Sequence, residues 1–288
     1  MRGRFVAALV LGTAAACIDS PQAALTQLTE SRRLGSELLV QFTKAADASN
    51  RAVMADTDEA STAFANETKQ ATDSVQKNVD SLRPILNNLG FTPEVGLLDD
   101  FNQRFREYRK VDGEILSLAV ENTNLKAQRL SFGPAAEAVE SFRRSIDAAV
   151  AADATKNSWQ AKAIGATAVA AVRKIQVLQA PHIAESKDEA MTDIEKRMAA
   201  AEAEARGALR ALEKAVTPAS RSQVVAATAA LDRFMQLNAQ IVALSRRNTN
   251  VRSLALALGQ KRTLIAACDA DLRALQDALA NRDFKATR

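Results

Sequence analysis

The 288-residue chain carries 38 Lys and Arg against 34 Asp and Glu, and two of the basic residues, Arg2 and Arg4, lie in a short leader. A charge balance this even lacks the basic surface of a nucleic-acid-binding protein, so no nucleic-acid partner is expected. Only 10 Gly and 6 Pro interrupt the sequence, and Ala, Leu, Arg, Glu, Gln and Lys predominate. These residues lose little freedom in a helix, and no segment shows sustained period-2 alternation. Composition therefore predicts an all-α fold.

The N-terminus has the pattern of an export signal. Residues 1–4 are positively charged, residues 5–16 are apolar, and Cys17 follows. Such a run is too short to cross a bilayer as a mature helix, which needs roughly 20 residues, so residues 1–16 are interpreted as a secretory signal peptide. Small residues before Cys17 suit ordinary signal peptidase. They also resemble a bacterial lipoprotein box, in which Cys17 would carry a lipid, although Ala14 stands where that box prefers Leu. Both routes predict a periplasmic protein, and any membrane contact is expected through the N-terminal lipid only.

Four helices are predicted in a first unit, residues 17–154. The first helix spans Pro21–Met54 and carries its apolar side chains at the 3-4 spacing of a coiled-coil seam. Asp56 or Thr57 is expected to cap the second helix. Gly90, followed closely by a proline, suits the left-handed position that closes it.

A second unit, residues 155–288, repeats this plan. The motif Ile-x2-Leu-x3-Asn-Thr-Asn begins at Ile115 and again at Ile241, 126 positions later. The motif Asp-Glu-Ala-x-Thr begins at Asp58 and again at Asp188, 130 positions later. Two matches at nearly one period predict a tandem duplication of a unit of about 130 residues. Each Asn-Thr-Asn is interpreted as a turn whose side chains cap the next helix. Short turns favour antiparallel neighbours, so we expect two up-down-up-down four-helix bundles, each about 45–50 Å tall.

The sequence leaves the packing of the two bundles open. The connection at 153–158 contains neither Gly nor Pro, so one helix could run straight on and stack the bundles end to end. Asp153 and Ser158 are candidate cap residues, and a break there favours side-by-side packing as an intramolecular pseudo-dimer about 50 Å long.

Several features together resemble a known sensor family. They are the alanine-rich bundle after a membrane-directed segment, the Asp-Glu-Ala turn between helices one and two, the Asn-Thr-Asn end of helix three, and Leu-Ser-x-Gly-Pro-Ala at 130–135. This pattern resembles the periplasmic four-helix-bundle sensor domain of methyl-accepting chemotaxis proteins, in two copies. The resemblance implies dimerisation, here including a homodimer, and binding of small metabolites, often carboxylates held by arginines. The transmembrane and cytoplasmic signalling parts of those receptors are not expected in this chain, so a membrane receptor is an expected partner.

Four polar residues on helix seams are candidate ligand-binding residues. Asp112 and Asn238 occupy the same position in the two third helices, among apolar side chains. Each is either a packing device satisfied by a neighbour or a ligand contact, because an unpaired polar group there costs stability. Arg32 and Lys162 are equivalent cations on the two first helices. Alternatively, each residue packs the aliphatic part of its side chain against the bundle and keeps its charge in water.

Catalysis, a metal site and a cofactor are not expected. The chain has one His, no Cys-x-x-Cys-His segment and no glycine-rich phosphate loop. Cys268 lies on an apolar helix seam and is predicted to be a core residue. Two functions remain: an exported module that binds a small metabolite or a membrane receptor, and a structural or protein-interaction bundle of the cell envelope without a small-molecule ligand.

Overall fold

The computed structural model describes residues 21–152 and 158–282, and the statements below concern these residues. They form helices joined by short connections, so the predicted all-α class is confirmed. The signal peptide, Cys17 and Asp153 lie outside the described residues. No described helix is both long and apolar enough to span a bilayer. The α-helices are α1 (Pro21–Met54), α2 (Asp58–Asn88), α3 (Thr92–Glu121), α4 (Thr123–Leu130), α5 (Ala136–Ala151), α6 (Ser158–Ala184), α7 (Asp188–Ala215), α8 (Arg221–Arg247), α9 (Thr249–Leu256) and α10 (Arg262–Ala280).

The predicted helix ends are largely confirmed. The α1 bounds are those expected, and Thr57 caps α2 by accepting a hydrogen bond of 3.1 Å from the Ala60 amide. Gly90 has the left-handed conformation, with φ of 68°. The turn before α7 is held by Glu185, whose Oε1 accepts hydrogen bonds from the Ser186 and Lys187 amides at 2.8 and 2.9 Å.

Two π-helical turns interrupt the later helices at matching positions. One spans Ser131–Ala135 between α4 and α5, and the other spans Ala257–Lys261 between α9 and α10. Pro134 lies inside the first one, where its missing N–H disrupts the α-helical hydrogen bonding. A π turn inserts one residue into the helix and so rotates the side chains that follow.

The helices pack around two apolar cores. Helices α1, α2, α3 and α10 surround the first, in which the Phe42 ring meets Phe101, Phe105 and Tyr108 edge to face. Each such fully buried ring stabilises the fold by roughly 1.5–3 kcal/mol. Helices α5, α6, α7 and α8 surround the second core, which is richer in alanine. We call the group α1, α2, α3, α9 and α10 bundle A, and the group α4 to α8 bundle B.

This grouping differs from the predicted domains 17–154 and 155–288. Helix α5 belongs to the first sequence unit but packs against α6 and α8, whereas α10 belongs to the second unit but packs against α1 and α3. The fourth helix of each unit therefore completes the bundle of the other unit. Bundle B is continuous in sequence, and bundle A is assembled from residues on both sides of it.

The two Asn-Thr-Asn segments meet where the chain crosses between the bundles. The amide of Thr123 donates to Thr249 Oγ1 at 3.1 Å, and the amide of Thr249 donates to Thr123 Oγ1 at 3.2 Å. The amides of Asn124 and Asn250 donate to each other's side-chain oxygens at 3.1 and 3.2 Å. These side chains satisfy free amides at a helix start, as expected, but each caps the helix that begins at the other Asn-Thr-Asn segment.

At each crossing, a single asparagine lies between a helix of one bundle and the next helix along the chain, which belongs to the other bundle. Asn122 and Asn248 adopt the left-handed conformation, with φ of 50° and 53°. Asn tolerates this conformation better than most residues that carry a Cβ. Each one ends the preceding helix and lets the next begin one residue later, so α3 leads into bundle B and α8 leads into bundle A.

The bundles meet end to end, so the predicted side-by-side packing is wrong. The contacts between them are made by helix ends near the crossing, for example Arg247 Nη2 to Glu121 Oε2 at 2.8 Å and Arg129 Nη2 to the Asp56 carbonyl at 2.9 Å. Helices α5 and α6, on either side of residues 153–157, both pack in bundle B, and the Asn-Thr-Asn segments provide the junction between the bundles. With helices of about 30 residues per bundle, the rod is roughly 90 Å long.

Candidate functional site

A buried ion pair lies in the core of bundle A. Lys261 Nζ is 3.1 Å from Asp112 Oδ1, and the two side chains are 0% and 3% exposed. The ammonium also donates to Ser49 Oγ and, at 3.2 Å, to Asn50 Oδ1. The Ser49 hydroxyl in turn donates to Asp112 Oδ1 at 2.5 Å. All three ammonium hydrogens therefore have acceptors, as a buried cation requires.

Three helical segments position this cluster. Ser49 and Asn50 lie near the end of α1, Asp112 lies on the core side of α3, and Lys261 is the last residue of the second π turn. Burial lowers the pKa of Lys261, and the neighbouring Asp112 carboxylate opposes that shift. The carboxylate thus helps to keep the ammonium charged inside the bundle.

A groove of about 520 Å³ between α2 and α3 reaches this ion pair. Asp112, only 2% exposed, lies at its base. Its Oδ1 accepts a hydrogen bond from Ser49 and lies 3.1 Å from Lys261 Nζ. Lys69 and Arg109 are exposed cations on the groove wall, and Arg109 Nη2 is 3.4 Å from Asp73 Oδ1. The groove thus combines a hydrogen-bond acceptor at its base with positive charge at its rim.

Tyr108 adds a second polar group to the same core. Its ring stacks on Phe105, and its hydroxyl is buried without a hydrogen-bond partner in the described part of the chain. Burial raises the pKa of Tyr108 well above its usual value, and the Asp112 carboxylate adds to this rise. The phenol is therefore held neutral beside the carboxylate.

Bundle B has a neutral chain of side chains where bundle A has the ion pair. Ser131 donates to Gln179 Oε1 at 2.7 Å, and Gln179 Nε2 donates to Asn238 Oδ1 at 2.9 Å. Asn238 Nδ2 points to Met198 Sδ at 3.8 Å, and Asn238 is 5% exposed. Asn238 therefore has partners within the core, which agrees with its interpretation as a packing device.

Arg32 and Lys162 lie far from Asp112 and Asn238. Arg32 sits at the outer end of bundle A, where its guanidinium donates to the carbonyls of Leu279, Ala280 and Arg282 at 2.8–3.2 Å. It therefore caps the end of α10. Lys162 is exposed and lines a groove between α5 and α6 at the outer end of bundle B. The four candidate residues do not form one site.

A buried His182 cluster in bundle B was not predicted. His182 Nδ1 is 2.5 Å from Ser245 Oγ, and its Nε2 is 2.8 Å from Glu195 Oε1. Arg246 Nε donates to the same Glu195 oxygen at 2.7 Å and, ahead of His182, lowers the pKa of Glu195. Ser245 and His182 are 0% exposed, so the hydroxyl has no open path to a substrate. The cluster resembles a Ser-His-acid relay but is placed to stabilise the helix ends beside the crossing.

Cys268 lies in the core, as the sequence predicted. Cys268 is fully buried, and burial raises its pKa to about 12. Among the described residues, no three His, Cys, Asp or Glu side chains are grouped as metal ligands would be.

Comparisons of the chain with protein families, curated proteins and solved structures find no match.

Proposed function

We propose that the protein is an exported, lipid-anchored sensor-like module that binds a small metabolite in the groove between α2 and α3. Export and the lipid on Cys17 are expectations from the first 17 residues. The observation that carries the binding role is Asp112, a nearly buried carboxylate whose Oδ1 is fixed by Ser49 and which lines an open groove. A hydrogen bond from a ligand to a charged acceptor of this kind contributes about 1.5–3 kcal/mol.

The groove also indicates the chemistry of the ligand. Asp112 can accept a hydrogen bond from a hydroxyl or ammonium group of the ligand, and its own charge is already balanced by Lys261. Lys69 and Arg109 offer positive charge for a carboxylate on the same molecule. Small hydroxy acids and amino acids carry both groups, and they agree with the carboxylate ligands that the chemoreceptor resemblance implies. A membrane receptor that recognises the loaded bundle would pass on the signal.

A thermal-shift screen with small hydroxy acids and amino acids tests this proposal. A ligand at 100 times its Kd adds about 2.7 kcal/mol of stability, which raises the Tm by roughly 5–10 °C in a domain of this size. Arg109→Gln should reduce that shift, whereas Arg106→Gln should leave it unchanged. Arg106 is the matched control, since it lies on the same helix, is exposed, and is absent from the groove lining. No shift with any acid, or equal effects of both variants, would overturn the proposed site.

The second candidate function is a structural or protein-interaction bundle of the cell envelope. Bundle B favours it, because its polar core is satisfied internally and several large apolar side chains are exposed on its surface. These are Phe132, Trp159, Val177 and Val225, each more than 60% exposed. Scattered apolar side chains of this kind also occur on proteins without partners. The thermal-shift screen separates the two functions, since an interaction bundle has no small-molecule ligand.

We also infer that the two bundles descend from one duplicated unit. The crossing supports this, because the residues that pair there, Thr123 with Thr249 and Asn124 with Asn250, are separated by the 126-residue shift of the repeat. Ile115 and Ile241, which begin the repeated motif, are both fully buried. In this proposal an ancestral unit formed the same assembly as two chains, and fusion made it a single chain.

A further inference from the structure

A second groove opens on the opposite side of the Lys261 cluster, between α1 and the segment from α9 to α10. Its volume is about 400 Å³, within the range of small-molecule pockets. Its walls are mainly apolar, and Met54 and Leu258 are 73% and 65% exposed there. Asn50, Val53 and Met54 line it from α1, and Leu254, Leu258, Arg262 and Ile265 line it from the opposite side.

The groove has one cation at its edge. Arg262 is exposed, and its guanidinium has no ion pair or hydrogen bond with the side chains that the structure describes. Asn50 supplies a polar group on the α1 side, and its Oδ1 accepts a hydrogen bond from Lys261 at 3.2 Å. The groove therefore offers a large apolar surface with a single positive charge, which suits an amphipathic anion.

The other half of the chain provides an internal comparison. At the shifts of the repeat, Met54 and Asn50 correspond to Ala184 and Ala180, and Leu254 and Arg262 correspond to Gln128 and Ala136. Leu258, Val53 and Ile265 keep large apolar counterparts, Phe132, Ile183 and Val139. Bundle B thus has a similar π turn and part of the apolar wall, but it lacks the counterparts of Met54, Leu254 and the cation. These features are properties of bundle A, and general packing of the repeated unit does not require them.

We propose that the groove between α1 and α9–α10 binds a carboxylate with an apolar body, such as a medium-chain fatty acid or an aromatic acid. The carboxylate lies at Arg262, and the apolar body lies against Met54, Leu254 and Leu258. This site is separate from the groove between α2 and α3, and it does not depend on the function proposed for that groove. Burial of a methylene group in an apolar pocket strengthens binding by up to about fourfold.

Calorimetric titration of the whole protein with hexanoate, octanoate and decanoate, below their micelle concentrations, tests the proposal. The Kd should fall with each added methylene, by up to about fourfold. Arg262→Gln should weaken octanoate by about tenfold, because it removes a charge-assisted hydrogen bond, and should leave octanol binding nearly unchanged. Leu258→Gln should flatten the dependence on chain length.

Phe132→Gln is the matched control, because Phe132 stands at the equivalent exposed position of bundle B. It should change neither the Kd nor its dependence on chain length. Absence of binding by all three acids would overturn the proposal. So would a Kd that does not vary with chain length, a loss of octanol binding equal to that of octanoate in Arg262→Gln, or equal effects of Leu258→Gln and Phe132→Gln. Far-ultraviolet circular dichroism of each variant checks that the helices are retained, and these exposed positions make that outcome expected.

Discussion

Replacing Lys261 by Met should strongly destabilise the protein, although the two side chains have similar length. The change leaves the Asp112 carboxylate buried without its cation, which typically costs about 3–5 kcal/mol. Asp112 is 2% exposed and keeps only the Ser49 hydroxyl as a donor, so solvent can compensate little. The Tm should fall by roughly 6–20 °C, using the usual 2–4 °C for each kcal/mol in a chain of this size.

The double variant Lys261→Met with Asp112→Asn should recover much of this loss. Bundle B has Asn238 and Ala135 at the corresponding positions and packs them without a charge. Urea unfolding followed by circular dichroism gives the free energy of unfolding for the wild type, both single variants and the double variant. The coupling free energy between the two sites should be about 2–3 kcal/mol.

Lys196→Met is the control for loss of a lysine charge. Lys196 pairs with Asp193 at 3.0 Å, but the two side chains are 72% and 73% exposed, so the change should stay within about 0.5 kcal/mol. If Lys261→Met costs no more than this control, or if the two single effects simply add in the double variant, the ion pair does not stabilise bundle A.

Four further predictions follow from the fold. Thr123→Val and Thr249→Val should lower the free energy of unfolding by similar amounts, about 1 kcal/mol each, because each threonine caps the other's amide; unequal losses in urea unfolding would contradict the reciprocal crossing. Small-angle scattering should give a maximum dimension near 90 Å, and a value near 50 Å would contradict end-to-end packing. Arg282 holds Glu94 through two bonds of 2.6 and 2.8 Å and lowers its pKa below the ordinary 4.5. A carboxylate whose pKa is lowered in the folded protein stabilises the fold at pH values above its unfolded pKa, and this stabilisation is lost as the pH falls through its folded pKa. The stability deficit of Glu94→Gln should therefore be largest above pH 4.5 and shrink in acid; a deficit independent of pH would contradict this. Cys268, in a Cys17→Ser background, should react with a thiol reagent only upon unfolding, since it is fully buried with a pKa raised to about 12; rapid labelling in buffer would contradict its core position.

The helices themselves were predictable because their signals are local. The α1 bounds, the Gly90 turn and the buried Ile115 and Ile241 follow from periodicity and from residues with special backbone preferences. The exchange of fourth helices was not predictable in this way. An apolar seam indicates which face of a helix is buried, but it does not indicate which helix covers that face.

The site was predictable in part. Asp112 was recognised as a polar residue on an apolar seam, but its partner was not. Lys261 lies among polar residues after Gly259, so the sequence indicates a surface lysine if the α-helix is uninterrupted. The π turn that ends at Lys261 shifts the helical register and brings this side chain into the core. His182 was missed for a related reason, because Ser245 and Glu195 come to it from two other helices.

The order in which the helices occur along the chain has a consequence for the protein's biogenesis. Bundle B occupies a continuous stretch of sequence, whereas bundle A needs α10, the last described helix. A chain that emerges N-terminus first can complete bundle B while the first three helices of bundle A still expose the side of Phe42, Phe101 and Phe105 that α10 later covers. Incomplete apolar surfaces of this kind favour aggregation. The newly made protein is therefore most vulnerable until α10 has been released, and a holding chaperone would be most useful in that interval.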